Sequence, residues 1–155
     1  MPGIRIGDFE LSRVQELDFP MAYAQTFFPE MSDEMLAEVR RKIPPGHLTD
    51  DGKVIFSFHS YVVRTGRYNI LVDTCCGNDK QRPGRDDFSG LNTGYLDTLA
   101  AEGLKPEDID YVMCTHLLWD HVGWNTRLDN GVWVPTVPNA QVVLATREND
   151  FWHAA

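Results

Sequence analysis

Cys114-Thr115-His116-Leu117-Leu118-Trp119-Asp120-His121-Val122-Gly123-Trp124-Asn125 places two imidazoles and a carboxylate within six residues. The run follows Tyr111-Val112-Met113, and Tyr111 to Thr115 reads as a short apolar strand. Loops at strand ends in α/β sheets are held by a rigid scaffold, and ligands usually bind there. Imidazole nitrogen and carboxylate oxygen are the donors that zinc accepts at about 2.0–2.2 Å. Asp120 and His121 are adjacent and cannot project the same way from a strand, but a tight turn can bring them to two nearby points. Gly123 allows a close backbone approach or a positive φ. A loop histidine is more often solvated or satisfied in a core, so both readings stand on composition alone. Cys114 could share a strand face with His116 as a thiol–imidazole pair, or be a buried strand cysteine. Trp119 and Trp124 could line a cleft or simply pack.

Outward from that loop, the pattern alternates between strands and helices. Ile4 to Leu17 suggests a short hairpin around Gly7-Asp8, followed by an irregular aromatic segment from Phe19 to Pro29. Ser32 caps a predicted helix with Asp33 and Glu34 in its first turn and Arg40, Arg41 and Lys42 in its last, as the helix dipole favours. Val54 to Val63 and Tyr68 to Asp73 read as strands joined at Thr65-Gly66-Arg67. Gly77 to Gly90 is a polar loop. Thr93 is placed to cap a helix through Tyr95, Leu96, Leu99 and Ala100 that stops at Gly103, and Pro106-Glu107-Asp108 opens one helical turn. A strand near Trp133, another over Gln141 to Ala145 and a helix capped by Thr146 complete the order. The class is mixed α/β, a mixed sheet backed by helices in one domain over 1–155. The last helix has barely begun at Ala155, so a further segment is expected after it.

The composition agrees with a single soluble core. The 155 residues carry 14 Lys and Arg against 23 Asp and Glu, a net charge of −9, with 43% hydrophobic residues. A chain of this length buries roughly two-thirds of its unfolded surface. The acidic balance argues against nucleic acid or an anionic membrane as the main partner, while leaving room for a local basic patch. No apolar run approaches the roughly 20 residues that span a bilayer, and the start lacks the pattern of a signal peptide. Cys75, Cys76 and Cys114 are an odd set, with the first two poorly placed to bridge each other; they read as reduced thiols of a cytoplasmic protein. There is no G-x-G-x-x-G, no phosphate-binding G-x-x-x-x-G-K-[ST] and no G-x-S-x-G elbow.

The run T-H-L-L-W-D-H-V-G-W-N resembles the signature of the metallo-β-lactamase superfamily, H-x-H-x-D-H after a strand. Asn69-Ile70-Leu71-Val72-Asp73-Thr74 looks like that family's earlier strand, which ends in an Asp beneath the metal site. Gly77-Asn78-Asp79-Lys80 and Pro106-Glu107-Asp108-Ile109-Asp110 are similar to segments of its lactonase-like and hydrolase-like branch, so the likeness runs over roughly residues 50 to 155. The resemblance implies an αββα sandwich of two similar halves, this chain being the N-terminal portion. It implies zinc, with His116 at one metal and Asp120 and His121 at a second, and Asp120 orienting a bridging water. The implied substrate is a small molecule with a hydrolysable carbonyl: a lactone, ester or amide.

Two departures from the pattern matter. Position 118, where the motif has its second His, is Leu118, which offers no lone pair. The later ligands would lie beyond residue 155, and His47, His59 and His153 sit in other contexts, His59 being the best placed of them. A catalytic zinc usually takes three protein ligands and a water, so weak or partial metal binding and low activity are expected of this chain alone. The other expectation is a non-catalytic half-fold: half of a two-sheet sandwich leaves a face uncovered, and a second copy could cover it as a homodimer.

Overall fold

The computed structural model describes residues 3–154. They form two compact units, one of the residues up to Glu16 together with those from Phe58 onward, the other of Leu17–Ser57. In the larger unit β1 (Ile4–Ile6) and the start of β2 (Phe9–Tyr23) make a hairpin around Gly7, with Ile6 opposite Phe9. β3 (Lys53–Arg64) enters this unit at Phe58 and returns through Thr65-Gly66-Arg67 as β4 (Asn69–Val72), antiparallel with Tyr61 opposite Val72. Phe58, Ser60 and Val62 are buried while their neighbours are not, the period of two expected of a sheet with one face in the core. β5 (Tyr111–Met113) lies parallel to β4, with Leu71 opposite Val112. After it come a separate hairpin, β6 (Thr126–Asp129) with β7 (Val132–Pro135), and then β8 (Gln141–Val143), which pairs parallel to β5. The main sheet runs β1-β2-β3-β4-β5-β8. It is the mixed α/β architecture read from the sequence.

The core gathers Val14, Val62, Leu71, Leu99, Ile109 and Val112 with Tyr95 and Trp124. Of the helices, α1 (Ala24–Phe27) and α2 (Asp33–Lys42) belong to the smaller unit, and α3 (Tyr95–Ala101) and α4 (Thr146–Ala154) to the larger. Tyr95 and Leu99 stand one turn apart on α3 and both reach the core. Tyr95 closes a hydroxyl pair with Ser60 at 2.6 Å and stacks on Trp124 with centroids 5.1 Å apart and planes 15° from parallel. That stack ties the helix to the loop after β5.

In the smaller unit α2 follows its charge pattern, and the Ser32 hydroxyl accepts the Met35 N–H at 3.2 Å. The segment read as irregular from Phe19 onward is instead the continuation of β2 to Tyr23, followed by the single turn α1. The Phe27 ring stacks on Phe56 at 5.2 Å, and the Ala24 N–H reaches the Gly52 carbonyl, so pairing within this unit overrides a weak local pattern. Thr93 does not cap α3: Gly94 takes that position without a side-chain bond, and the Thr93 hydroxyl is used by Glu16 and Asn78. Strand β5 ends at Met113, before Cys114 and Thr115. No helix among the described residues is long and apolar enough to cross a membrane.

All three cysteines are free and buried. Burial raises the thiols of Cys75, Cys76 and Cys114, because a thiolate loses its hydration there. The folded state therefore keeps protons that the unfolded chain releases above about pH 9, and this contribution to stability falls as the pH rises past that value. A thiol reagent at pH 8 should label the native protein slowly at all three positions and label them rapidly in denaturant. Fast native labelling of Cys75 or Cys76 would contradict this packing.

Candidate metal centre

Parallel pairing of β4 and β5 brings Asp73 and Thr115 together just past their C-terminal ends. The Asp73 N–H reaches the Met113 carbonyl at 2.9 Å, and Asp73 adopts a left-handed φ of 56°, which Asp tolerates better than most residues. Its carboxylate then faces the motif. Oδ1 accepts the Thr115 N–H at 2.8 Å, and Oδ2 accepts the Thr115 hydroxyl at 2.8 Å and His121 Nδ1 at 2.9 Å.

These bonds select the tautomer that each histidine takes in its neutral form. A carboxylate only accepts, so His121 donates from Nδ1, and in the neutral imidazole Nε2 is the nitrogen that keeps a lone pair. Thr115 has one hydroxyl proton and gives it to Asp73; the 3.0 Å contact to His116 Nδ1 is therefore donated by His116, whose Nε2 is the acceptor in the neutral ring. The two rings lie 3.9 Å apart between centroids, and His121 Nε2 is 3.6 Å from Asp120 Oδ2. A carboxylate behind a histidine, fixing its tautomer and ring, is the support that metal-ligating imidazoles usually have.

The motif loop is seated on residues 74–77 by backbone bonds. Thr74 N–H reaches the His121 carbonyl (2.8 Å), Gly123 N–H the Cys75 carbonyl (2.8 Å) and Trp124 N–H the Thr74 carbonyl (2.7 Å). A Cβ on Gly123 would stand 1.8 Å from the Cys76 oxygen, so only glycine fits. Cys75 and Gly77 take positive φ to make the turn beneath it.

Two acidic residues that sequence reasoning missed hold this arrangement from outside. The Glu16 carboxylate accepts the N–H groups of Cys76 (2.7 Å) and Gly77 (3.0 Å), the Thr93 hydroxyl (3.1 Å) and the Trp124 indole N–H (2.7 Å). Glu148 on α4 accepts the Leu117 N–H at 3.0 Å and the Trp152 indole N–H at 3.1 Å, and these bonds hold its carboxyl below the usual range. The one hint for Glu16 was a carboxylate inside a strand; Glu148 gave none beyond its place in a first turn.

Of the residues singled out from sequence, His116, Asp120 and His121 lie together, and Leu118 is beside them with 44% of its surface exposed. Leu118 lines an open groove of about 460 Å³ with Thr115, His116, Phe151 and Trp152. Trp124 packs in the core, as its stack on Tyr95 requires. Cys114 Sγ receives the Asn125 amide at 3.8 Å. His47 bonds the Pro44 carbonyl, and His59 stands edge-on to the Tyr61 ring. Among the described residues no three His, Cys, Asp or Glu side chains stand where they could share a metal ion. Asp120 and His121 converge, but with leucine at position 118 the residues present do not fit a closed metal site.

A family model, the metallo-beta-lactamase superfamily, matches residues 56–155. The chain belongs to the metallo-β-lactamase superfamily. Solved structures agree. A crystal structure described as hydrolase AbOPH in the beta lactamase superfamily is similar at 25% identity and TM-score 0.70 over 97% of this chain and 46% of its own. AidC, a dizinc quorum-quenching lactonase in complex with a product N-hexnoyl-L-homoserine, shares 23% identity at TM-score 0.74, over 99% of this chain and 47% of its own. A probable metal-dependent hydrolase from Staphylococcus aureus shares 21% at TM-score 0.73, over 97% and 52%. This metallo-β-lactamase-fold chain thus spans about half the length of the structures it matches. No curated protein matches it.

If Asp73 fixes the tautomers, Asp73→Ala should release His121 and Thr115 together. The variant is expected to lose about 1–3 kcal/mol of stability in urea titration. Nitrogen-15 spectra should show His121 changing from one tautomer to a mixture. An unchanged His121 signal would remove Asp73 from this role.

Proposed function

We propose that this chain is a metallo-β-lactamase-fold hydrolase domain, the N-terminal portion of that fold, acting on a lactone, ester or amide of a small molecule by metal-activated water. The residues that would hold a divalent metal, zinc by analogy with the dizinc lactonase, are His116, Asp120 and His121; the metal would supply an activated water, and Asp120 would orient it. The observation that carries the reading is the Asp73–His121–Asp120 chain of contacts, which sets His121 Nε2 3.6 Å from a carboxylate oxygen. What these residues do by themselves is limited and definite. Asp73 holds the His121 proton on Nδ1, Thr115 holds the His116 ring, and Leu118 contributes apolar surface in place of a donor. We read the metal position as incomplete on this chain, with low activity alone, and the free, buried thiols support a reducing, cytoplasmic setting.

A second reading, a non-catalytic module that self-associates as a homodimer, has its own support. β8 is the edge of the main sheet, and Val142 and Val143 on it are 55% and 41% exposed, with Phe151 at 64%. Light scattering separates the two readings, since a monomer at micromolar concentration would remove the module reading.

Zinc titration by calorimetry tests the first reading. The native chain should bind zinc weakly, and Leu118→His should bind it on the order of 10–100-fold more tightly, as restoring a ligand-shell member does. If neither protein binds zinc above a His121→Ala control, the metal-dependent reading fails.

A further inference from the structure

The chain is strongly acidic, yet two arginines stand against the motif loop. Trp119 immediately precedes Asp120, and its ring has the guanidinium carbons of both Arg82 and Arg85 at 5.1 Å from the centroid. Phe88 at 4.8 Å and Phe58 at 6.1 Å hold the indole from other sides. The two arginines differ in what they have left to offer. Arg82 is committed to the fold: it donates to the Phe88 carbonyl at 2.7 Å and to the Cys76 carbonyl, and its backbone N–H reaches the Ser89 hydroxyl. Asp120 is near enough that its charge favours the protonated guanidinium of Arg82. Arg85 is exposed, and among the described residues its guanidinium makes no hydrogen bond or ion pair, even with the neighbouring Asp86 and Asp87.

A guanidinium laid against an indole keeps its in-plane N–H fork open while losing much of its rotamer freedom. That is a pre-paid ordering cost for binding a planar or tetrahedral oxyanion. In a protein of net charge −9, a fixed cation with unused donors beside the candidate site selects ligands by charge. We propose that Arg85 is a specificity-determining residue that receives an oxyanion, a carboxylate or phosphate, on the small molecule bound beside Asp120 and His121. The substrate class is then an anionic carbonyl compound. The inference rests on the hydrolase reading for the identity of the site, but its test needs neither metal nor turnover.

The experiment is a titration of the full chain followed through the Trp119 indole N–H signal, assigned from the spectrum of Trp119→Phe. The ligands are benzoate, phenyl phosphate and the neutral benzamide. Benzoate or phenyl phosphate should shift the Trp119 signal saturably while benzamide does not, and whichever anion binds more tightly names the group. Binding should weaken with added salt, fall on the order of tenfold in Arg85→Ala and be partly kept in Arg85→Lys. Because Arg85 is exposed, both variants should keep the native spectrum elsewhere. Equal shifts with benzamide, no saturable shift with either anion, or unchanged anion binding in Arg85→Ala would overturn the proposal. Any of these would leave the zinc titration, and so the hydrolase reading, unaffected.

Discussion

Between residues 74–77 and 121–124, main chain lies directly against main chain, with no room for a side chain at Gly123. Three backbone hydrogen bonds cross that contact, and they fix where His121 leaves the loop. The position of Asp73 is settled separately, by the parallel pairing of β4 and β5. The carboxylate and the imidazole then meet at 2.9 Å because two independent constraints deliver them to one place. A residue with a Cβ at 123 would lift the loop off the turn, and the tautomer of His121 would lose its reason. The chemistry of the site is in this sense a consequence of backbone packing.

How much of this could be read from the amino acids depends on range. The loop from His116 to His121 was legible because its donors are close in sequence and of metal-ligating types. α2 was legible because Ser32 and the flanking charges act within one turn of the helix ends. Asp73 was legible only through the family resemblance of Asn69 to Thr74. The failures lie where a partner is distant. The strand from Phe19 to Tyr23 is decided by its pairing and not by its own pattern, and Thr93 has the composition of a cap but is claimed by Glu16 and Asn78. Glu16 and Glu148 are ordinary acids until their donors arrive from other parts of the chain.

Leu118 shows how one side chain changes what a conserved-looking geometry can do. Its neighbours keep the bonds that orient both imidazoles through Nδ1. The residue itself faces an open groove with Phe151 and Trp152 and contributes apolar surface to it. The bonds that orient the two imidazoles do not involve position 118, where leucine offers no donor.

Glu16 closes its bonds with Cys76, Gly77, Thr93 and Trp124 over sequence separations of 60, 61, 77 and 108 residues. Contacts of such span carry their loop-closure entropy before they return any energy, so they form late as the polypeptide collapses. The Glu16 carboxylate stays hydrated until these donors reach it, and Trp124 is the last of the four in chain order. The motif loop thus cannot take its seat against Glu16 before residue 124 has been joined to the chain.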